Sequence, residues 1–417
     1  MLLEQILASD NLQQAWKRVK QNKGAAGVDG MTLDQYPSWA KAHWKGVKRG
    51  LERGYYCPQP VKRVEIPKAN GGVRCLGIPS VNDRVIQQAI SQTLQPVIDP
   101  DFSAHSYGFR PNRSAHQAVK AVQEGIKQGY GYAVDIDLSK FFDNVDHDLL
   151  MNRVSKWVDD KRVLALIGKY LRAGVSINGK IEATPRGVPQ GGPLSPLLAN
   201  IMLDDLDRYL ESRNYRFARY ADDFVISVKS FAEGERIKAE VIAFLETLKL
   251  PINTEKSQVV AVRQLNFLGF AFKGKKIVWS RQALANFKHR ICEITGRSWS
   301  VSWAYRYQQL RRYITGWMNY FGLSEYYRPL PELDHWIRRR IRMCYLKQWG
   351  RMRGRIRHLI RLGVSTQLAI HIGLSSKGYY RLAKTKAVQI GLNNDWLKAQ
   401  GLVSVKEQWI KFHYPNG

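Results

Sequence analysis

The segment RFARYADDFVISV (216–228) constrains the chain more than any other stretch, because two consecutive acids, Asp222 and Asp223, interrupt two apolar, strand-like runs. A hairpin ordinarily takes Asn-Gly or Asp-Gly at such a turn. Adjacent carboxylates repel one another there unless a cation sits beside them. Upstream, YAVDIDLSKFFDNVDHD (132–148) alternates so that Val134, Ile136 and Leu138 share one face of a strand and Asp135 and Asp137 the other. Three carboxylates brought together from two strands, Asp137, Asp222 and Asp223, suit a pair of Mg²⁺ ions, with Mn²⁺ as a substitute. Such a pair bridges an attacking hydroxyl and the leaving phosphate oxygens in phosphoryl transfer.

At 417 residues the chain exceeds the size at which one hydrophobic core keeps growing, so more than one packed unit is expected. Its 44% hydrophobic content and 12 Trp exclude wholesale disorder. Periodicity predicts short amphipathic helices in the first 22 residues, a helix over 37–51, and strand-like alternation over 55–79 broken by Asn70-Gly71-Gly72. Helical spacing returns over 83–96 and 114–128, followed by a strand at 132–138 and helices over 141–157 and 160–173. A helix over 196–213, a hairpin over 215–229, a helix over 231–249 and strands at 258–262 and 266–272 complete an α+β order. From residue 273 the pattern is helical to the end, with breaks at Gly296, Gly322, Gly350, Gly363 and Gly373.

Charge divides the chain at the same place. The net charge is +30, and residues 273–417 hold 28 Lys and Arg against 6 Asp and Glu. So large a basic excess calls for a polyanionic partner, foremost a nucleic acid. No apolar run approaches the roughly 20 residues of a membrane span, and the N-terminus carries acids and amides within its apolar stripe, so the reading is a cytoplasmic protein without a membrane partner. Cys57, Cys75, Cys292 and Cys344 lie far apart, which indicates neither a disulfide framework nor a zinc site.

The Asp strand with an aromatic five residues on, together with the Tyr-Ala-Asp-Asp hairpin, resembles the palm of reverse transcriptases. The wider match is similar to the bacterial group II intron reverse transcriptase and maturase family, in its compact class without an HNH endonuclease. That resemblance implies a right-hand polymerase: an N-terminal extension (1–35), fingers and palm built of antiparallel sheet and helices (36–272), and an all-helical basic thumb, the maturase or X domain (273–417). It makes Asp137, Asp222 and Asp223 the catalytic metal ligands and Phe142 the side chain that excludes ribonucleotides. RVEIPKANGGVRCLGIP resembles the family's fingers hairpin, with Lys68 and Arg74 on the incoming triphosphate. SYGFRPNRSAHQAV resembles the next block, with Arg110 and Arg113 holding template or fingertips. VPQGGPLSPLLAN is the most specific string, placing Gln190 near the base while Gly191 and Gly192 allow close backbone approach. INTEKSQVV supplies Lys256 near the departing pyrophosphate, and Phe267 to Phe270 either support the primer or simply pack.

In the thumb-like part, Arg311, Arg312 and the run Arg338, Arg339, Arg340 and Arg342 are expected on phosphates, whereas Tyr313 and Trp317 fit a core. The implied partners are an RNA template, a DNA or RNA primer, deoxynucleoside triphosphates and group II intron RNA. The implied function is RNA-directed DNA synthesis with splicing and retrohoming. Alternatives are a host-adopted enzyme of repair or defence, and a protein that acts mainly as an RNA-binding splicing cofactor.

Overall fold

A computed structural model describes residues 1–67 and 73–415, which divide into two compact units, Met1–Val262 and Arg263–Gly417. The first unit holds two four-stranded sheets. One has β1 (Val61–Pro67) and β2 (Val73–Ile78) as an antiparallel pair, and sets β1 parallel to the short strand that opens the Val175–Ile177 hairpin. The other carries the acids. Its strands are β3 (Tyr132–Asp137), then, after the Val175–Ile177 (β4) and Lys180–Glu182 (β5) hairpin, β6 (Arg216–Tyr220), β7 (Asp223–Val228) and β8 (Gln258–Ala261), in the order β6-β7-β3-β8. All its neighbours are antiparallel, and the register sets Asp137 directly opposite Asp223 and Asp135 opposite Val225.

The sequence accounts for this register. In β7 every residue from Phe224 to Val228 is buried, because the strand lies inside the sheet and helices Ala115–Lys127 and Phe231–Thr247 pack against it. A slip of one residue would turn Asp137 away from Asp223 and drive Ile136 out of the core, so the apolar face fixes where the acids meet. Helix Ser195–Ser212 begins with Pro196 in its first turn and packs on β6 and on helix His147–Val154, with Leu203, Leu206 and Leu210 fully buried.

Two local differences from the periodicity reading have plain causes. The helix expected over 141–157 is broken into Phe141–Asn144 and His147–Val154, because Asp146 adopts extended backbone and its side chain accepts the Leu149 N–H as an N-cap. The β4–β5 hairpin has no counterpart in the periodicity. It turns at Asn178-Gly179, both with positive φ, a strong two-residue turn signal on strands too short for alternation to register.

The second unit opens with a small sheet, β9 (Asn266–Phe267), β10 (Phe270–Lys273) and β11 (Lys276–Trp279), and continues as helices. The boundary therefore precedes the charge shift at 273: β10 pairs with β9 before that point and with β11 beyond it, which ties all three strands into one unit. Its core joins Phe287, Leu310, Ile314, Trp317, Ile337 and Ile341. Trp317 stacks with Phe321 and abuts Phe287, while Tyr313 stacks on Phe287. Phe267 and Phe270 are buried in the same unit, so these aromatics pack. Among the described residues no helix is long and apolar enough to cross a membrane.

The N-terminal helix is anchored electrostatically. Asp160 caps helix Lys161–Leu171 through the Arg162 N–H, accepts the Leu3 N–H at 3.1 Å and pairs with the Arg162 guanidinium at 2.9 Å. The Arg162 bond holds the Asp160 carboxyl down at about 2, against 3.8 ordinarily, with the two backbone N–H groups assisting. A depressed carboxylate stabilises the fold above its unfolded value and loses that contribution as the pH falls through the folded one. Asp160→Asn should therefore destabilise by about 1 kcal/mol at neutral pH, with faster hydrogen exchange over residues 2–7. The gap to wild type should close between pH 3.8 and about 2.

Candidate active site

The candidate site lies where β3 ends and β7 begins. Tyr220 closes β6, Ala221 and Asp222 form a two-residue turn, and Asp223 opens β7 across from Asp137. Ala221 has φ +58°, a left-handed conformation that such a turn normally gives to glycine and that costs an L residue about 1–2 kcal/mol. Asp137 ends β3 with its backbone N–H donated to Ser257 Oγ at 3.1 Å, and Lys256 Nζ stands 3.7 Å from Asp137 Oδ2. The loop after helix Phe231–Thr247 thus brings Lys256 to the carboxylates.

The electrostatics of the site are those of crowded acids. Desolvation lifts the Asp223 carboxyl to about 6, with the Asp222 and Asp137 charges adding and Arg74 opposing. Asp222 is raised chiefly by desolvation, while the nearby Arg74 charge pulls it down. Asp135 is pushed up to about 7 by desolvation and by the Asp223 and Asp137 charges. It belongs to the same charge cluster. The alternation of β3 puts it on the Asp137 face, which is the signal the sequence holds for it, although the family resemblance gives it no role.

Among the described residues no set of three or more His, Cys, Asp and Glu side chains forms a closed metal-binding group. The donor chemistry nevertheless fits hard divalent cations: three carboxylates, mutually repelling, faced by Arg74 and Lys256. Mg²⁺ keeps several waters and needs few protein oxygens.

The loop leading to helix Ser195–Ser212 reaches the same region. The Val188 N–H donates to Phe142 O at 2.6 Å, tying the loop to the half-exposed Phe142, whose ring meets the buried Phe141 edge-on at 5.3 Å. Two residues on, the Gly77 N–H of β2 donates to Gln190 O at 2.8 Å. Gly191, at φ +130°, passes so close to β2 that a Cβ would sit 2.8 Å from Gly77 O. Gln190, Gly191, Phe142 and Arg74 are therefore carried by connected backbone. Lys68 lies outside the described residues.

The basic candidates separate into two groups. Arg110 is buried and does not face a template. It donates to Asp99 Oδ1 at 2.9 Å and to the Ser106 carbonyl at 3.0 Å, and lies over the Phe102 ring, so its charge is used inside the fold. Arg113 is exposed, 5.7 Å over the Tyr107 ring. In the second unit Arg311 and Arg312 are exposed. Arg342 is only 3% exposed and donates to Leu392 O and Asn394 Oδ1. Burial and the neighbouring Arg338 charge lower it to about 10. Arg340 bonds Thr295 and the Cys292 carbonyl, and Arg339 bonds the Tyr380 carbonyl with its guanidinium 3.6 Å from that ring. Arg340 and Arg342 are thus pinning groups between helices rather than phosphate contacts, because the helix they share turns them inward. Arg338 remains half-exposed.

Comparison with known proteins gives a consistent picture. Residues 66–272 match the family described as reverse transcriptase (RNA-dependent DNA polymerase), and residues 284–363 match the group II intron maturase-specific domain. Protein YkfC of Escherichia coli K12 is 35% identical over 322 residues, which covers 67% of this chain and 83% of that protein. The group II intron-encoded protein LtrA of Lactococcus lactis subsp. cremoris is 32% identical over 310 residues, covering 69% of this chain; the chain spans 51% of LtrA's length. A solved partial Cas6-RT-Cas1–Cas2 complex matches at 27% identity and TM-score 0.39, over 62% of this chain and 43% of its own.

The two groups of arginines should respond differently to alanine. Arg110→Ala and Arg342→Ala should each lower stability by about 2 kcal/mol, since buried acceptors are deprived of a charged donor, and should be seen in thermal unfolding. Arg311→Ala and Arg312→Ala should leave unfolding unchanged. In RNA-binding titrations each should reduce the slope of log affinity against log salt by about 1 for every phosphate it no longer neutralises.

Proposed function

The chain belongs to the reverse transcriptases that carry a group II intron maturase domain, and from that membership we propose that it copies RNA into DNA at the carboxylate cluster of β3 and β7 and binds group II intron RNA as a splicing maturase. The observation that carries the polymerase reading is the register pair Asp137–Asp223, with Asp222 next to it at the turn and Lys256 and Arg74 as the cations facing them. In this reading the first unit supplies fingers and palm, and the second supplies the thumb. The substrates are an RNA template, a primer with a free 3′ hydroxyl and deoxynucleoside triphosphates.

Asp137, Asp222 and Asp223 would hold two Mg²⁺ ions, or Mn²⁺ in their place, and when bound these supply activation of the primer hydroxyl and neutralisation of charge on the reacting phosphates. The rest falls to this chain's own side chains. Lys256 is paired with Asp137 at only 3.7 Å and is 71% exposed, so it is free to exchange that partner for the departing pyrophosphate. Arg74, whose charge reaches both Asp222 and Asp223, neutralises the triphosphate as it arrives. Phe142 stands on a short helix whose backbone is tied to the loop before Gln190, and in this reading its ring fills the space a ribose 2′ hydroxyl would need. Gln190 lies under the base, its carbonyl fixed by the Gly77 N–H.

Asp222→Asn should reduce primer extension on an RNA template by about 10³-fold or more while leaving affinity for the primer–template duplex within about twofold. Robust extension by that variant would overturn the assignment. Phe142→Val should raise incorporation of ribonucleotides relative to deoxyribonucleotides by about 10- to 100-fold, since one steric contact in a pocket is worth that much discrimination. Competition assays with the two triphosphates read it directly.

A further inference from the structure

Arg219, the residue before the Tyr-Ala-Asp-Asp turn, is a fully buried cation. Arg219 and Asp207 are both fully buried and pair side-on, with Arg219 Nε donating to Asp207 Oδ1 at 2.7 Å and Nη2 to Oδ2. Arg219 Nη1 donates to Asn200 Oδ1 at 3.1 Å and to the Ala221 carbonyl at 2.9 Å, while Nη2 also donates to Ser106 Oγ at 2.8 Å. All five guanidinium donors are thereby used. The bond to Ala221 O falls on the one residue of the turn forced into left-handed backbone.

The acceptors come from elements far apart in sequence. Asp207 and Asn200 stand on helix Ser195–Ser212, the helix opened by the Pro-Gln-Gly-Gly loop. Ser106 belongs to the SYGFRP segment, which runs beside β6: Arg219 N donates to His105 O at 2.9 Å, and Tyr107 N to Arg219 O at 2.8 Å. The next residue, Gly108, lies so close under the turn that a Cβ there would meet Ala221 N at 2.2 Å. Its carbonyl is held by Asn200 Nδ2 at 2.9 Å. The Ser106–Gly108 part of this segment, for which the resemblance implies that Arg110 and Arg113 hold template or fingertips, forms a strap beneath the turn.

We propose that Arg219, clamped by Asp207 and Asn200 and backed by the Ser106–Gly108 strap, is the positioning residue that holds the Ala221 backbone in its left-handed conformation and so aims Asp222 and Asp223. This rests on the polymerase reading of the carboxylates and goes beyond it by assigning the device that orders them. A loosened turn keeps its acids and its RNA-binding surface. It loses the fixed separation on which cation binding and in-line attack depend.

The test uses the full chain. Arg219→Gln combined with Asp207→Asn exchanges the ion pair for a neutral amide pair, so that no buried charge is left alone. Thermal unfolding establishes that it folds. Titration with Mn²⁺ alone, read by the free-ion paramagnetic signal, should then show affinity reduced by about tenfold. The kcat for primer extension should fall by about 10²-fold, with the KM for primer–template changed by less than about twofold. Adding Ala221→Gly, which adopts the turn without support, should restore part of the lost Mn²⁺ affinity and kcat.

A folded double variant with wild-type Mn²⁺ affinity and kcat overturns the proposal, as does failure of Ala221→Gly to restore either quantity. Should the double variant not fold, Asn200→Ala, which removes one Arg219 acceptor and frees the Gly108 carbonyl, must show the same effects in smaller degree; wild-type values there overturn the proposal. If Asp222→Asn itself extends primers normally, the polymerase reading fails, and the Mn²⁺ arm still decides the role of Arg219.

Discussion

Like charges gathered at one end of a sheet repel, and the first unit is organised around containing that repulsion. Asp137 and Asp223 face each other across β3 and β7, Asp222 is next along the chain and Asp135 two residues back. None of these positions would be chosen for stability, since opposed like charges on neighbouring strands destabilise. They are held by what lies behind them: a strand buried along its length in β7, the helices packed on the sheet and the apolar face of β3. The raised carboxyls of Asp135 and Asp223, lifted first by desolvation and then by the neighbouring acid charges, register the cost. A divalent cation would remove it, and in this sense the fold is already shaped for one.

The elements that position this cluster are largely legible in the sequence, because period-2 alternation in β3, the continuous apolar run of β7 and the apolar run of helix Ser195–Ser212 are strong patterns. The same alternation puts Asp135 on the acidic face. What escapes is equally informative. The β4–β5 hairpin has three-residue strands, half-buried in β4 and exposed in β5, too short for alternation to register, so only its Asn178-Gly179 turn speaks for it. For the SYGFRPNRSAHQAV block the family resemblance implies that Arg110 and Arg113 hold template or fingertips. Polarity alone does not reveal that Arg110 and Ser106 find their partners inside the protein.

The same limit applies to counting positive charge. A run such as Arg338–Arg342 advances about 100° per residue around its helix, so some of its members must face inward. Arg342 and Arg340 do, and they bond carbonyls, a hydroxyl and an amide near helix ends. The net charge of the sequence therefore overstates the number of phosphates the second unit can neutralise. Its basic character is divided between holding helices together and meeting a polyanion, and only the second part is sensitive to salt.

The closed bonding around Arg219 also limits how this site can vary. Losing any one of Arg219, Asp207 or Asn200 strands a buried charge or amide, at a cost of about 3–5 kcal/mol for the ion pair, while no side chain fits at Gly108 without moving the turn. The four positions sit on three segments, with Gly108 lying 92 residues before Asn200, and they are physically coupled, so that a different arrangement requires several of them to change at once. Directed evolution that alters one residue at a time should therefore find the wall of this site closed.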